Sequence, residues 1–323
     1  MSRESVVGGG RRGSGVALAG LTAVVSGVSV FVNGYGVRAV PDAAVYTTAK
    51  NALAAVVLLL VVAAVPALRS GPLVPGSATG PGGRPGASSR APRRIGRALG
   101  LAYVAAVGGG VAFVLFFTGL AHSASEPAAF VHDTLVLWVG AVAWRALGER
   151  LAPVNLLAIG ALLAGQVVLS GGVGRISGTG GLGLVLAATL LWSVEVVVAK
   201  RLLAGVAPGT VALVRMGGGS LLLVAYLALD GRLGALAAMD AHEVAWVAAT
   251  GVLLAAYVAT WFAALARARA VDVTSILVGS VLVTAALQAA AGHPGVPVEP
   301  LGIGLVALGA AAVLVRWPRR AAA

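Results

Sequence analysis

Cysteine is absent from the 323 residues, which rules out disulfides, thiolate metal sites and cysteine nucleophiles. Charge is nearly as scarce, at 11% of residues, where a soluble domain carries about a quarter. So few charges cannot cover a soluble globule of this size, and lipid must do the covering. Histidine occurs four times, at 122, 132, 242 and 293, and nowhere as H-E-x-x-H. There is no G-x-S-x-G, and no G-x-x-x-x-G-K-[ST] phosphate loop. No cofactor, bound metal or enzymatic activity is therefore expected, and without an ATPase site any work on a solute must draw on a gradient. The net charge of +12 suggests nucleic acid at first. Its distribution argues against that partner, because the basic residues form short clusters between apolar runs, with no amphipathic basic helix and no aromatic-interleaved patch. Clusters at helix ends are what membrane topology requires.

What fills the chain instead is Ala, Gly, Val and Leu, with 59% of residues hydrophobic. Apolar stretches of roughly 18–25 residues recur, enough to cross a ~30 Å hydrocarbon core. They fall at about 16–37, 43–67, 98–120, 124–146, 152–171, 181–203, 208–229, 243–265, 271–291 and 298–316. The expected fold is all-α: a polytopic membrane protein of about ten transmembrane helices. Residues 1–15, rich in Gly and Arg, are expected to be a disordered tail. The first run is too long for a cleavable signal, and nine others follow. Residues 69–97 combine Pro, Gly, Ser and Arg and read as a flexible basic loop. Residues 317–323 form a terminal tail.

Charge assigns the orientation. Starting at the N-terminus and taking every second loop collects Arg3, Arg11 and Arg12, then Arg69, Arg84, Arg90, Arg93, Arg94 and Arg97. Arg145, Arg150, Lys200, Arg201, Arg267, Arg269, Arg316, Arg319 and Arg320 follow. The opposite loops hold only Arg38, Arg175 and Arg232. Positive-inside sorting puts both termini in the cytoplasm of a multi-pass protein of the plasma (inner) membrane.

The chain also resembles itself. Gly148, Pro153, Ile159 and Gly160 recur at one constant offset as Gly292, Pro297, Ile303 and Gly304. Lys50 and Arg215 each follow a loop proline, Pro41 and Pro208. Lys50 lies ~10 Å in from one surface and Arg215 ~10 Å in from the other. Five helices per half, 16–171 and 181–316, give two repeats of opposite orientation.

Gly148-Glu149-Arg150-Leu151, followed by Ile159-Gly160-Ala161-Leu162-Leu163-Ala164-Gly165, resembles the drug/metabolite transporter superfamily, EamA-type. Trp192-Ser193 and Ala199-Lys200 are similar to the opening of that family's repeat. The departures are Gly292-His293-Pro294 in place of Gly-Glu, Ser26-Gly27 in place of an early Trp, and a fourth helix without the usual proline. The resemblance implies an alternating-access secondary carrier, often an exporter of metabolites or amino acids. A small-molecule substrate and the bilayer are the partners so implied, and a homo-oligomer stays open.

An ionisable residue inside a spanning helix costs about 2.5–3.5 kcal/mol on the insertion scale and therefore faces a cavity or a partner. Lys50, Glu126, Asp133, Glu195 and Arg215 are the candidates for a substrate or proton pathway, with Asn33 lining a cavity. Glu126 and Asp133 stand two turns apart, so a continuous helix puts both carboxyls on one face. Glu126 also suits the first turn of a helix, where the dipole favours an acid. Glu195 and Arg215 lie at similar depth and can form an ion pair, structural or gating. Lys50 can instead snorkel outward along its stem. His132 is expected to be a packed polar residue, and Gly108-Gly109-Gly110 and Gly217-Gly218-Gly219 close-packing sites. Glu149-Arg150 reads as a helix-end ion pair.

Two readings of other classes remain. A membrane enzyme acting on a lipid-linked substrate would gather acids and bases at one interface, whereas these charges are scattered. A non-transporting interaction subunit would depend on the loop at 69–97. Reporter fusions test the topology: those after Arg97, Arg150, Arg201, Arg269 and Arg320 are expected to read cytoplasmic. Those near Pro41, Gly174, Asp240 and Gly295 are expected to read external, and a cytoplasmic signal at Gly174 overturns the inverted arrangement.

Overall fold

The computed structural model describes residues 3–69, 90–123, 128, 131–149, 153–169, 180–291 and six positions between 301 and 309. Among them every regular element is helical. That outcome follows from the solvent, because in hydrocarbon each peptide group must be satisfied within its own segment.

Helix α1 (Arg3–Ala39) stops just before Pro41, which has no N–H to continue it. Asp42 then caps α2 (Ala43–Ala64), its carboxylate accepting from the amides of Ala44 at 2.9 Å and Val45 at 3.1 Å. A single turn, Pro66–Arg69, follows α2. Helix α3 (Arg90–Tyr103) passes through a π-helical stretch, Val104–Val111, into α4 (Ala112–Ala121). Helix α5 (Leu135–Leu147) ends on Gly148 at φ 69°, a left-handed terminus that favours glycine. Helices α6 (Pro153–Leu169), α7 (Leu182–Leu202) and α8 (Pro208–Leu229) follow, α6 and α8 each opening on proline. Helix α9 (Ala241–Arg267) opens with a reciprocal cap between Asp240 and Glu243. Helices α10 (Ala270–Val278) and α11 (Ser280–Ala290) meet at Gly279.

Among the described residues, seven stretches are long and apolar enough to cross a membrane: Gly13–Ala39, Ala43–Ala64, Arg94–Gly119, Leu182–Leu202, Pro208–Leu229, Ala241–Arg267 and Ala270–Ala290. They match seven of the ten expected spans. The fourth and fifth expected spans contain α5 and α6, which are shorter. The tenth lies outside the described residues apart from isolated positions.

Three expectations are corrected. The helix reaches back to Arg3, where a disordered tail was expected, because no proline interrupts it. The expected loop at 69–97 already contains helix from Arg90 onward; residues 70–89 lie outside the described residues. Positions 90, 93, 94 and 97 share one face at helical spacing, so this opening is an amphipathic basic helix after all. The fourth span is not continuous either. Residues 131–133 are helical, Thr134 forms a turn, and α5 begins at Leu135. The Thr134 hydroxyl donates to the Val131 carbonyl at 2.6 Å, the local bond by which Ser and Thr compete with the helix ladder.

Glycine sets the packing of α3–α4 against α7 and α8. A Cβ on Gly109 would collide with the Arg215 carbonyl and with Gly219, and one on Gly108 with the Glu195 carboxyl. A Cβ on Gly110 would come within 3.1 Å of Leu222, and one on Gly119 within 2.6 Å of the Gly181 carbonyl. Close packing of small residues is a main source of attraction between helices in lipid, where no hydrophobic force acts. Gly217 meets nothing within 4 Å, so it takes no part in this seam.

Charged side chains close the helix ends. Glu149 accepts from the amides of Ala270 and Val271, both at 3.2 Å, at the start of α10, whose own cap position, Arg269, makes no such bond. Lys200 donates to the carbonyls of Leu265 and Ala268, both at 2.6 Å, at the end of α9. Arg201 donates to the Ala146 carbonyl at 2.5 Å near the end of α5. Anions at helix starts and cations at helix ends each oppose the local dipole. Glu149, expected in a helix-end ion pair, thus caps a helix far along the chain; Arg150 lies outside the described residues.

Gly109→Ala is expected to lower the thermal midpoint and the yield of folded protein, because backbone faces the added methyl. Gly20→Ala, with nothing within 4 Å of the added atom, is expected to raise stability by about 0.5–1 kcal/mol. Equal behaviour of the two variants in a melting assay would remove the packing role of Gly109.

Candidate functional site

The α7–α8 hairpin brings Glu195 and Arg215 together. Arg215 Nε donates to Glu195 Oε1 at 2.8 Å and Nη2 to Oε2 at 3.4 Å, a two-pronged contact. Glu195 is 4% exposed and Arg215 9%. Arg215 also stands over the Phe113 ring, 5.5 Å from its centroid, and reaches Met216 Sδ at 3.7 Å. Gly108 gives the Glu195 carboxyl its room, and its carbonyl accepts from Trp192 Nε1 at 2.9 Å.

Lys50 does not snorkel. It is 6% exposed, and its Nζ donates to Asn33 Oδ1 at 3.0 Å. The Tyr46 hydroxyl donates to the same oxygen at 2.8 Å. Asn33 is oriented by its own amide nitrogen, which donates to the Ser29 carbonyl at 2.7 Å and to Ser29 Oγ at 3.1 Å. The ammonium stands over two rings, 4.9 Å from the Tyr46 centroid and 5.4 Å from that of Phe117, where ring quadrupoles attract a cation.

The two cationic centres share one aromatic shelf. Phe113 and Phe117 are one turn apart on α4 and stack at 6.2 Å, 7° from parallel. Lys50 thus lies on the Phe117 end and Arg215 on the Phe113 end. Trp192 packs edge-on to Phe113 at 5.3 Å and near Phe116 at 5.5 Å. His132 closes this side against Phe116 and Trp192, at 5.2 and 5.1 Å, with Nδ1 3.4 Å from the Thr189 hydroxyl. Tyr46, Phe113 and Phe117 were not singled out from sequence, and Trp192 only as part of the repeat-opening motif. The available signals were the one-turn spacing of Tyr46 to Lys50 and of Phe113 to Phe117.

Asp133 is half-buried just before the turn at Thr134, not in the middle of an unbroken span. Glu126 lies outside the described residues, so its placement on the same face as Asp133 is not decided. Among the described residues no three of His, Cys, Asp and Glu gather as a metal set.

A third cluster closes the opposite end from Lys200. Arg232 Nη1 pairs with Asp42 at 2.8 Å, and Nη2 pairs with Asp230. Burial pushes the Asp42 carboxyl up, but the Val45 amide and Arg232 outweigh it and hold it below the usual carboxylate range. Its contribution to stability is therefore present at neutral pH and lost as pH falls through that lowered value.

Glu195→Ala and Arg215→Ala are each expected to reduce folded protein by orphaning a buried charge. The double Ala variant is expected to be less impaired than the sum of the singles, by ~1–3 kcal/mol of coupling in melting or abundance assays. Strictly additive effects would contradict the coupling.

The comparisons with known proteins agree with this architecture. The model of the EamA-like transporter family matches twice, over residues 13–171 and 179–315. No curated protein matches. A crystal structure of a protein is similar in fold, with a TM-score of 0.67 at 20% identity, covering 94% of this chain and 98% of that one. The first match holds Asn33, Lys50 and the phenylalanine shelf, the second Trp192, Glu195 and Arg215. This multi-pass membrane protein belongs to the EamA-like transporter family.

Proposed function

We propose that the chain is a gradient-driven secondary carrier that exports a small organic solute, a metabolite or an amino acid, across the plasma (inner) membrane. In this reading ten helices form two inverted five-helix repeats with both termini in the cytoplasm, and the halves rock about a site between them. The observation that carries it is the shared aromatic shelf. Both stretches matched by the family supply its charged and aromatic groups, and Lys50 at one end and Arg215 at the other are both buried. A site built from both halves is one whose exposure changes when they move against each other. The clusters at the two bundle ends, Asp42 with Arg232 and Lys200 with the end of α9, are suited to close alternate sides.

Asp133 is the proton-exchange candidate in this scheme, as a half-buried acid next to the histidine that packs on the shelf. Purified protein in liposomes, given an imposed proton gradient and a panel of radiolabelled amino acids and organic acids, tests both points. Uphill accumulation that an uncoupler abolishes is the expected result for the wild type. Asp133→Asn is expected to lose accumulation while retaining solute exchange in part. Wild-type accumulation by Asp133→Asn at every pH would remove that residue from the coupling, and accumulation of no solute under any gradient would remove the carrier reading.

A further inference from the structure

The two buried cations differ in how their charge is met. Arg215 has a carboxylate in two-pronged contact, so that end of the shelf is neutral in sum. Lys50 has a neutral amide oxygen and two ring faces, and no carboxylate within ion-pair distance among the described residues. Asn33 Oδ1 already accepts from both Lys50 and Tyr46, which uses its two lone pairs. An ammonium carries three N–H donors; one is on Asn33, and two remain.

Polar capacity is left over on the same helix. Thr47 Oγ1 and both amide atoms of Asn51 are buried without a hydrogen-bond partner among the described residues. Thr47 lies one turn from both Lys50 and Asn51 on α2, so the three share a face. Buried polar atoms are nearly always paired, and the exceptions call for a functional reason. Here an excess positive charge and unmet hydrogen-bonding atoms occur on one turn, beside the rings of Tyr46 and Phe117.

We infer that Lys50, with Thr47 and Asn51 on the same face of α2, binds the carboxylate of a small organic monoanion whose apolar body lies along Phe117 and Phe113. The inference rests on the carrier reading for its use in transport, but the binding step stands by itself. A phosphate ester is a poorer match, since it carries nearly two charges at neutral pH and Lys50 supplies one. The Arg215 end takes no anion, because Glu195 already occupies its guanidinium.

Three probes with one body and different charge test this: 3-phenylpropionate, 3-phenylpropionamide and 3-phenylpropylamine. Binding to the full chain in nanodiscs is followed by ligand-induced thermal shift and tryptophan fluorescence, and flux in liposomes. The carboxylate is expected to bind at least ~10-fold more tightly than the amide, a difference of about 1.4 kcal/mol, and the amine most weakly. Lys50→Met, which keeps an unbranched stem and removes the charge, is expected to erase that preference. Its thermal midpoint without ligand should not fall, because a buried cation is gone. Lys50→Arg is expected to retain a preference for the anion. Equal binding of carboxylate and amide, no carboxylate binding at all, or a preference that survives in Lys50→Met would each overturn the inference. Flux separates it from the carrier reading. Lys50-dependent binding without flux under any gradient rejects the carrier and leaves the site. Flux of amide or amine but not of carboxylate rejects the site and leaves the carrier.

Discussion

Two opposite charges held 2.8 Å apart among apolar helices impose conditions on everything around them. Removing either charge from water costs several kcal/mol, and the attraction offsets this only when the geometry is good and both ions are shielded from competing partners. Glu195 and Arg215 meet those conditions through a hairpin that places them at equal depth and through a third helix that comes unusually close. That approach is what Gly108, Gly109 and Gly219 permit. A side chain at any of these positions would push α3–α4 away and open the pair. The glycine run and the ion pair are thus one requirement read on two helices. The π-helical stretch Val104–Val111 spans the same contact, where the extra residue per turn displaces backbone from the usual register.

The helix ends show the same economy of charge. A membrane protein has few ionisable residues, and three of those near the bundle ends here, Glu149, Lys200 and Arg201, are directed at unsatisfied peptide groups of other helices. Lys200 and Glu149 bracket the α9–α10 junction, the first on the carbonyls that end α9 and the second on the amides that begin α10. Arg201, beside Lys200, reaches the end of α5. The junction is held by two long side chains from other parts of the chain.

The shelf of Phe113 and Phe117 joins two charged centres of unlike character. One is internally neutralised and acts on packing; the other, among the described residues, keeps a positive charge in contact with neutral oxygen and aromatic faces only. Cation–π contacts of this kind contribute about 0.5–2 kcal/mol each, less than a desolvated ammonium loses on leaving water. That imbalance is tolerable where a ligand periodically supplies the counter-charge.

Hydropathy and charge alone determined that the chain is helical, multi-pass and built with basic residues at alternate ends, because lipid allows a spanning segment few other solutions. They also singled out Lys50, Glu195 and Arg215, since a charge within an apolar run stands out wherever it points. The pairing of Glu195 with Arg215 was readable from equal depth on neighbouring helices. The tertiary structure decided what pattern could not carry. Phe113 and Phe117 look like any apolar residues of a spanning helix until helices distant in sequence place Arg215 and Lys50 on their faces, while Tyr46 meets Lys50 of its own helix. The break at Thr134 turns on a local hydroxyl bond that hydropathy does not register. Glu149 was read as a partner of its neighbour, and only packing showed that its partners are two amides more than a hundred residues away. Hydropathy is a property of one segment and its solvent, whereas these contacts depend on which helices become neighbours, and that is settled by where glycine lets backbones meet.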